Sequence, residues 1–116
     1  LRNGVKVTAR ENYQKAVEIT PNSLIAYKAH NNIGTIYGSQ NLFDKAVKEF
    51  KQAIEIDPIL PDAYNNLAVE YAKKELYKDA LSAFQTALKL DPDDSTTIQN
   101  IAVIQIKITR HPVIPQ

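Results

Sequence analysis

The sequence predicts an all-α chain in which helical hairpins stack into a solenoid, and three observations predict it. The first is self-similarity at a step of 34 residues, which lays Ile33-Gly34-Thr35-Ile36-Tyr37 on Leu67-Ala68-Val69-Glu70-Tyr71. The second is a recurring order of small and large residues: Gly34, Tyr37, Ala46, Phe50 and Ala53 return as Ala68, Tyr71, Ala80, Phe84 and Ala87. The third is the pair Asp57-Pro58 and Asp91-Pro92, which closes each unit. Proline lacks an amide hydrogen and disfavours helix in the residue before it, so each second helix stops there.

Six helices follow, roughly 6–19, 23–38, 42–56, 61–73, 76–90 and 95–108. Before the repeated pair, Gly4, Ala9, Tyr13, Ala16 and Pro21 occupy the turn, small, aromatic, small and stop places of a second helix. Ser23 is read as the cap of the helix that follows, and Asp94 or Ser95 as the cap of the last one. Pro61 suits a first helical position. Asn41 falls where a left-handed residue ends a first helix, and Glu75 is a poorer residue for the same place. The step from Pro21 to Pro58 is 37 residues, three more than the period, and reads as an added turn at the start of the helix near Ser23. At the other end, Ile104-Gln105-Ile106-Lys107-Ile108 alternates in the manner of a strand. Ile98, Ile101, Gln105 and Ile108 nevertheless share one helical face, and helix is the preferred reading. The domain expected spans residues 1–110: a partial repeat in 1–22, full repeats in 23–60 and 61–94, a partial repeat or cap in 95–110, and a tail in 111–116.

This pattern resembles the tetratricopeptide repeat family, whose period and W-x2-L-G-x2-Y…A-x3-F…P signature match at many spaced positions over nearly the whole chain. The resemblance implies a right-handed superhelix whose first helices line a concave face. It also implies that the second, fifth, sixth, ninth and thirteenth repeat positions look inward. The sixth is Asn32, Asn66 and Asn100, and the fifth is Asn31, Asn65 and Gln99. The ninth is Thr35, Val69 and Val103, the second Lys28, Asp62 and Thr96, and the thirteenth Ser39, Lys73 and Lys107. An asparagine amide both donates and accepts, which is what a peptide group requires, so the column can hold an extended backbone. The alternative is that these amides bond to neighbouring helices or water. Some family members hold chaperone tails with a lysine at the fifth and an asparagine at the ninth position of one first helix, where this chain has Asn31 and Thr35. They also use basic residues on the third first helix, where it has Thr96 and Asn100. Only Asn66 matches, so binding in that style is not expected.

Composition limits the other classes. Fourteen basic residues against thirteen acidic ones give a net charge of +1, which argues against a nucleic-acid or membrane-surface module. No cysteine is present, and His30 and His111 are the only histidines, so neither metal nor cofactor is expected. His30 reads as a packed or exposed ring. The interspersed lysines, among them Lys45 and Lys74, read as solvated faces. No apolar run is long enough to span a bilayer, no secretory signal opens the chain, and there is no phosphate loop or nucleophile elbow. With no methionine even at position 1, the chain reads as an excised or processed piece of a longer protein. Its default compartment is the cytoplasm.

The function expected is a non-catalytic scaffold that binds a protein or peptide in its groove. Asn32, Asn66 and Asn100 would hold the backbone, while Lys28, Asp62, Val69, Lys73 and Gln99 shape side-chain preference. Two alternatives stand beside it. The apolar residues Ile104, Ile106 and Ile108 of the last helix are candidates for self-association into homo-oligomers. The chain could equally be the substrate-docking arm of a larger enzyme such as a glycosyltransferase.

Overall fold

The structure is a computed structural model that describes residues 21–110, all in helices and the turns that join them. The helix expected over 6–19, with its turn at Gly4, and the tail from 111 lie outside the described residues. Five helices follow: α1 (Pro21–Ser39), α2 (Phe43–Ile56), α3 (Asp62–Lys73), α4 (Tyr77–Leu90) and α5 (Ser95–Arg110). Helices α1 with α2 and α3 with α4 form hairpins, α2 packs on α3, and α4 packs on α5. The stretch that alternates in the manner of a strand is therefore helical to Arg110: an isoleucine run can bury one stripe against α4, and no second strand lies beside it to pair with among the described residues.

Local chemistry explains the boundaries. Asn41 and Glu75 adopt left-handed backbone with φ of 61° and 60°. The amides of Leu42 and Leu76 then reach back to the carbonyls of Tyr37 and Tyr71, each at 2.9 Å, which satisfies the last turn of each first helix. Glu75 takes this conformation despite its side chain because the hairpin demands it. Asp44 and Asp79 stand in the first turns of α2 and α4, where negative charge opposes the helix dipole. At their far ends, the amides of Asp57 and Asp91 still bond back to Ala53 and Ala87 before proline stops the helix.

Helix α1 corrects two expectations. Among the described residues it runs from Pro21, so Ser23 lies inside it and is not the cap. It holds 19 residues against 12 in α3, and the two end at equivalent positions, Ser39 and Lys73. The excess lies at its start, as the 37-residue step implied, but is longer than a single turn.

The small residues set the spacing. Ala46, Ala53, Ala63, Ala68, Ala80 and Ala87 are buried, as are the rings of Phe50 and Phe84. Each ring contributes about 1.5–3 kcal/mol by leaving water. A Cβ on Gly34 would stand 2.6 Å from the Phe50 ring, so only glycine permits this crossing of α1 and α2. Tyr37 and Tyr71 pack half-buried beside Phe50 and Leu67. On the outer surface, the ammonium groups of Lys45 and Lys74 sit 5.7 and 5.5 Å from the ring centres of Tyr37 and Phe43. These two lysines therefore do more than solvate a face.

The inward stripe of α5 is turned from the one expected. Ile101, Ile104 and Ile108 pack against the α4 cluster and Thr97 is buried beside Asn65 of α3, while Gln105 and Ile98 are exposed. Ile104 is only 5 % exposed, packed with Ala68, Ala80 and Phe84, so it is not available for self-association. Ile108 is half-buried against the same cluster, whereas Ile106 is 54 % exposed. The spacing of 101, 104 and 108 keeps one stripe on α4, and residue 105 falls about a third of a turn from 104.

Candidate functional site

The first helices α1, α3 and α5 share one face, and two depressions lie along it. The first, about 420 Å³, runs between α1 and α3 and is lined by Lys28, Asn31, Asn32, Thr35, Asp62, Asn65 and Asn66, with Leu24, Tyr27 and Leu60 at its floor and rim. The second, about 280 Å³, lies between α3 and α5 and is mostly apolar. Val69, Ala72, Tyr77, Phe84, Val103 and Ile104 line it, with Lys73, Asn100 and Lys107 around them. Gln99 is exposed and lines neither depression.

The asparagines divide into two kinds. Asn31 is buried, and its side-chain oxygen accepts a hydrogen bond from the Asn66 amide at 3.2 Å, tying α1 to α3. Its backbone carbonyl accepts the Thr35 hydroxyl at 2.9 Å. Asn65, its equivalent in the following repeat, ties α3 to α5 in the same way: its side-chain oxygen accepts the Thr97 hydroxyl at 3.0 Å. Asn32 and Asn100, by contrast, make no side-chain hydrogen bond among the described residues, and Asn66 keeps its side-chain oxygen and one amide hydrogen unused. The amides are thus divided: Asn31, Asn65 and one amide hydrogen of Asn66 tie helices together, while Asn32, Asn100 and the rest of the Asn66 amide leave donors and acceptors in the groove.

Lys73 is anchored at the seam between the depressions. Its ammonium donates to the Gly38 carbonyl at 3.0 Å and to the buried Glu70 carboxylate at 2.9 Å. A cation from α3 thereby satisfies the carbonyl end of α1. A Cβ on Gly38 would meet the Glu70 carboxylate and displace it from this arrangement.

Sequence reasoning missed Tyr27. Its ring is buried, and its hydroxyl accepts a hydrogen bond from the Ala63 amide at 2.9 Å and donates to the Leu60 carbonyl at 3.3 Å. Helix α3 has no capping side chain of its own, since Pro61 stands at its cap. Tyr27 supplies that cap from the previous hairpin. The 34-residue step lays Tyr27 on Pro61 and so hides it. The available signal was a large aromatic in the added start of α1. Burial raises the Tyr27 phenol above its usual value, hydrogen bonds from Ala63 and Asn31 pull it partly back, and Asp62 and Asp57 add to the rise.

At the next junction Asp94 caps α5. Its carboxylate accepts the amides of Thr96 at 3.0 Å and Thr97 at 3.4 Å, and at 2.8 Å it shares the one Thr97 hydroxyl hydrogen with the Asn65 side-chain oxygen. Those bonds, the hydroxyl first, hold the Asp94 carboxyl below its usual range. His30 meets Glu49 of α2, with Nδ1 2.7 Å from the carboxylate, as a packed side chain within its hairpin. Among the described residues no group of His, Asp or Glu is arranged to hold a metal, and no helix is long and apolar enough to cross a membrane.

Comparison with known proteins agrees with this architecture. A family model described as "Tetratricopeptide repeat" matches residues 61–94, and one described as "TPR repeat" matches residues 34–75. Together with the fold, these matches place the chain in the tetratricopeptide repeat family. No curated protein matches the sequence significantly. Among solved structures, the chain is similar to the second TPR domain of Spaghetti (RPAP3) bound to the HSP90 peptide SRMEEVD. The identity is 17 %, the TM-score 0.74, and the match covers 80 % of this chain and 85 % of that one. The first TPR domain of the same protein, bound to the same peptide, gives 18 % identity and a TM-score of 0.69 over 72 % and 67 % of the two chains. The Sgt2 TPR domain from Aspergillus fumigatus gives 19 % and 0.68 over 72 % and 56 %.

Proposed function

We propose that this chain is a non-catalytic interaction module that holds an extended peptide segment across α1, α3 and α5. The observation that carries the reading is the set of unsatisfied amides facing the groove: Asn32, Asn100 and the free half of Asn66. A peptide backbone offers the complementary donors and acceptors at every residue, and each bond contributes about 0.5–1.5 kcal/mol net. Two of the similar structures hold the peptide SRMEEVD. This groove differs from the lysine-and-asparagine clamp in having Asn31 and Thr35 where that clamp needs its charged and amide groups. Lys28 and Asp62 give the first depression one charge of each sign, and the second depression favours an apolar side chain.

The test is a peptide array probed with the purified chain, with SRMEEVD as the comparison ligand, followed by calorimetric titration of the best binder. Replacing Asn32 and Asn100 by alanine is expected to weaken that binding roughly tenfold, the equivalent of two modest hydrogen bonds. Helicity and melting should not move, because neither amide bonds within the described fold. Unchanged affinity would remove the amide column from the mechanism.

A further inference from the structure

The two depressions of the groove differ because a few positions change between repeats. Glu70 of α3 is the buried acid that pairs with Lys73, and its equivalent one repeat later is Ile104. That exchange has two consequences. It adds an aliphatic side chain to the depression between α3 and α5, and it deprives Lys107, the equivalent of Lys73, of a carboxylate three residues before it. Lys73 also donates to the Gly38 carbonyl, whereas Lys107 makes no hydrogen bond or ion pair among the described residues. The ninth position changes in the same sense. Thr35, whose hydroxyl turns back to its own helix, is followed by Val69 and Val103, 43 % and 50 % exposed on the two walls of that depression.

The result is an apolar recess with a cationic rim. Phe84 and Ile104, both buried, form its floor. Lys73 and Lys107 line it and no carboxylate does, whereas the first depression has both Lys28 and Asp62. Along α5, Asn100, Val103 and Lys107 follow at three- and four-residue intervals and so share one face. From Asn100 to Lys107 is about 10 Å along the helix axis, which an extended chain covers in about three residues. At about 280 Å³ the recess falls just below the range of small-molecule clefts, roughly 300–1,000 Å³, so it has room for a side chain and not for a helix.

We propose, building on the groove reading above, that this recess selects an apolar–acidic pair in the bound segment: a large aliphatic side chain enters it, and a carboxylate side chain one or two residues away is held at Lys107. Removal of the aliphatic group from water drives its entry, while an ion pair at an exposed rim adds selectivity more than affinity. One uncompensated cation calls for one carboxylate, which a side chain inside the segment supplies without a free chain end.

The test is selection from a library of short, C-terminally amidated random peptides passed over the immobilised full chain. Retained peptides are expected to be enriched in leucine, isoleucine or methionine with aspartate or glutamate one or two positions away. A retained peptide is then resynthesised with its acid replaced by lysine, and both forms are titrated by fluorescence anisotropy. Lys107→Glu alters an exposed residue and should leave helicity intact. It should weaken the acidic peptide about fivefold and prefer the lysine form. Val103→Asp, also at an exposed residue, should abolish the aliphatic enrichment, whereas Asn32→Ala, outside the recess, should weaken all peptides alike. Retained peptides that lack the pair, or an unchanged charge preference in Lys107→Glu, overturn the inference and leave the extended-peptide reading standing. An enriched pair with no effect of Asn32→Ala removes the amide column and upholds the recess. A library from which nothing is retained overturns both.

Discussion

The hydroxyl of Tyr27 caps a helix that belongs to the next hairpin, accepting the Ala63 amide at 2.9 Å and donating to the Leu60 carbonyl at 3.3 Å. One buried phenol thus joins the end of α2's loop to the start of α3. Tyr27→Phe keeps the ring and strands the Ala63 amide, which should cost about 1–3 kcal/mol in urea unfolding. The titration has a definite sign. The folded phenol holds its proton more tightly than the usual value near 10, so its contribution is complete below that pH. The unfolded phenol ionises first as pH rises, and stability is lost from there up through the folded value. Wild type should therefore lose stability above about pH 10 more steeply than Tyr27→Phe.

Neighbouring asparagines should behave oppositely. Asn31→Ala removes the acceptor of the Asn66 amide in a buried place and should lower stability by about 1–2 kcal/mol. Asn32→Ala, at the adjacent position, should leave thermal unfolding unchanged and act only on peptide affinity. Equal destabilisation by the two would contradict the division between helix-tying and groove-facing amides.

Glu75 is a site of backbone strain. Its φ of 60° is easy for glycine and costs a side-chain-bearing residue about 1 kcal/mol. Glu75→Gly should raise stability by about that much in chemical denaturation, whereas Glu75→Val should lower it, because branching at Cβ worsens the same clash.

The Glu70–Lys73 pair is half open to water, so its worth is below that of a fully buried pair. Lys73→Met should cost about 1–2 kcal/mol, because it leaves Glu70 buried without its cation and the Gly38 carbonyl with the Asn41 amide as its one remaining donor. Glu70→Gln added to Lys73→Met should recover some of that loss. Failure to recover any would place the whole effect at the Gly38 carbonyl.

The repeat, the helix ends and the small-against-aromatic crossings were legible in the residues because each is local or periodic. Pro58 and Pro92 stop helices through their own covalent geometry. Gly34 and Ala68 return every 34 residues because every hairpin meets the same steric limit. Contacts between unlike positions were not legible. Tyr27 lies opposite Pro61 in the repeat, and the rotation of α5 that buries Ile104 while exposing Gln105 depends on where α4 presents Phe84. Periodicity reports which positions are equivalent; it does not report which inward-looking amides find a partner on the adjacent helix. That choice rests on distances of a few tenths of an ångström between side chains far apart in the chain. Packing of whole helices decides it, and so packing alone separated Asn31 and Asn65, which bind the fold together, from Asn32 and Asn100, which face the groove.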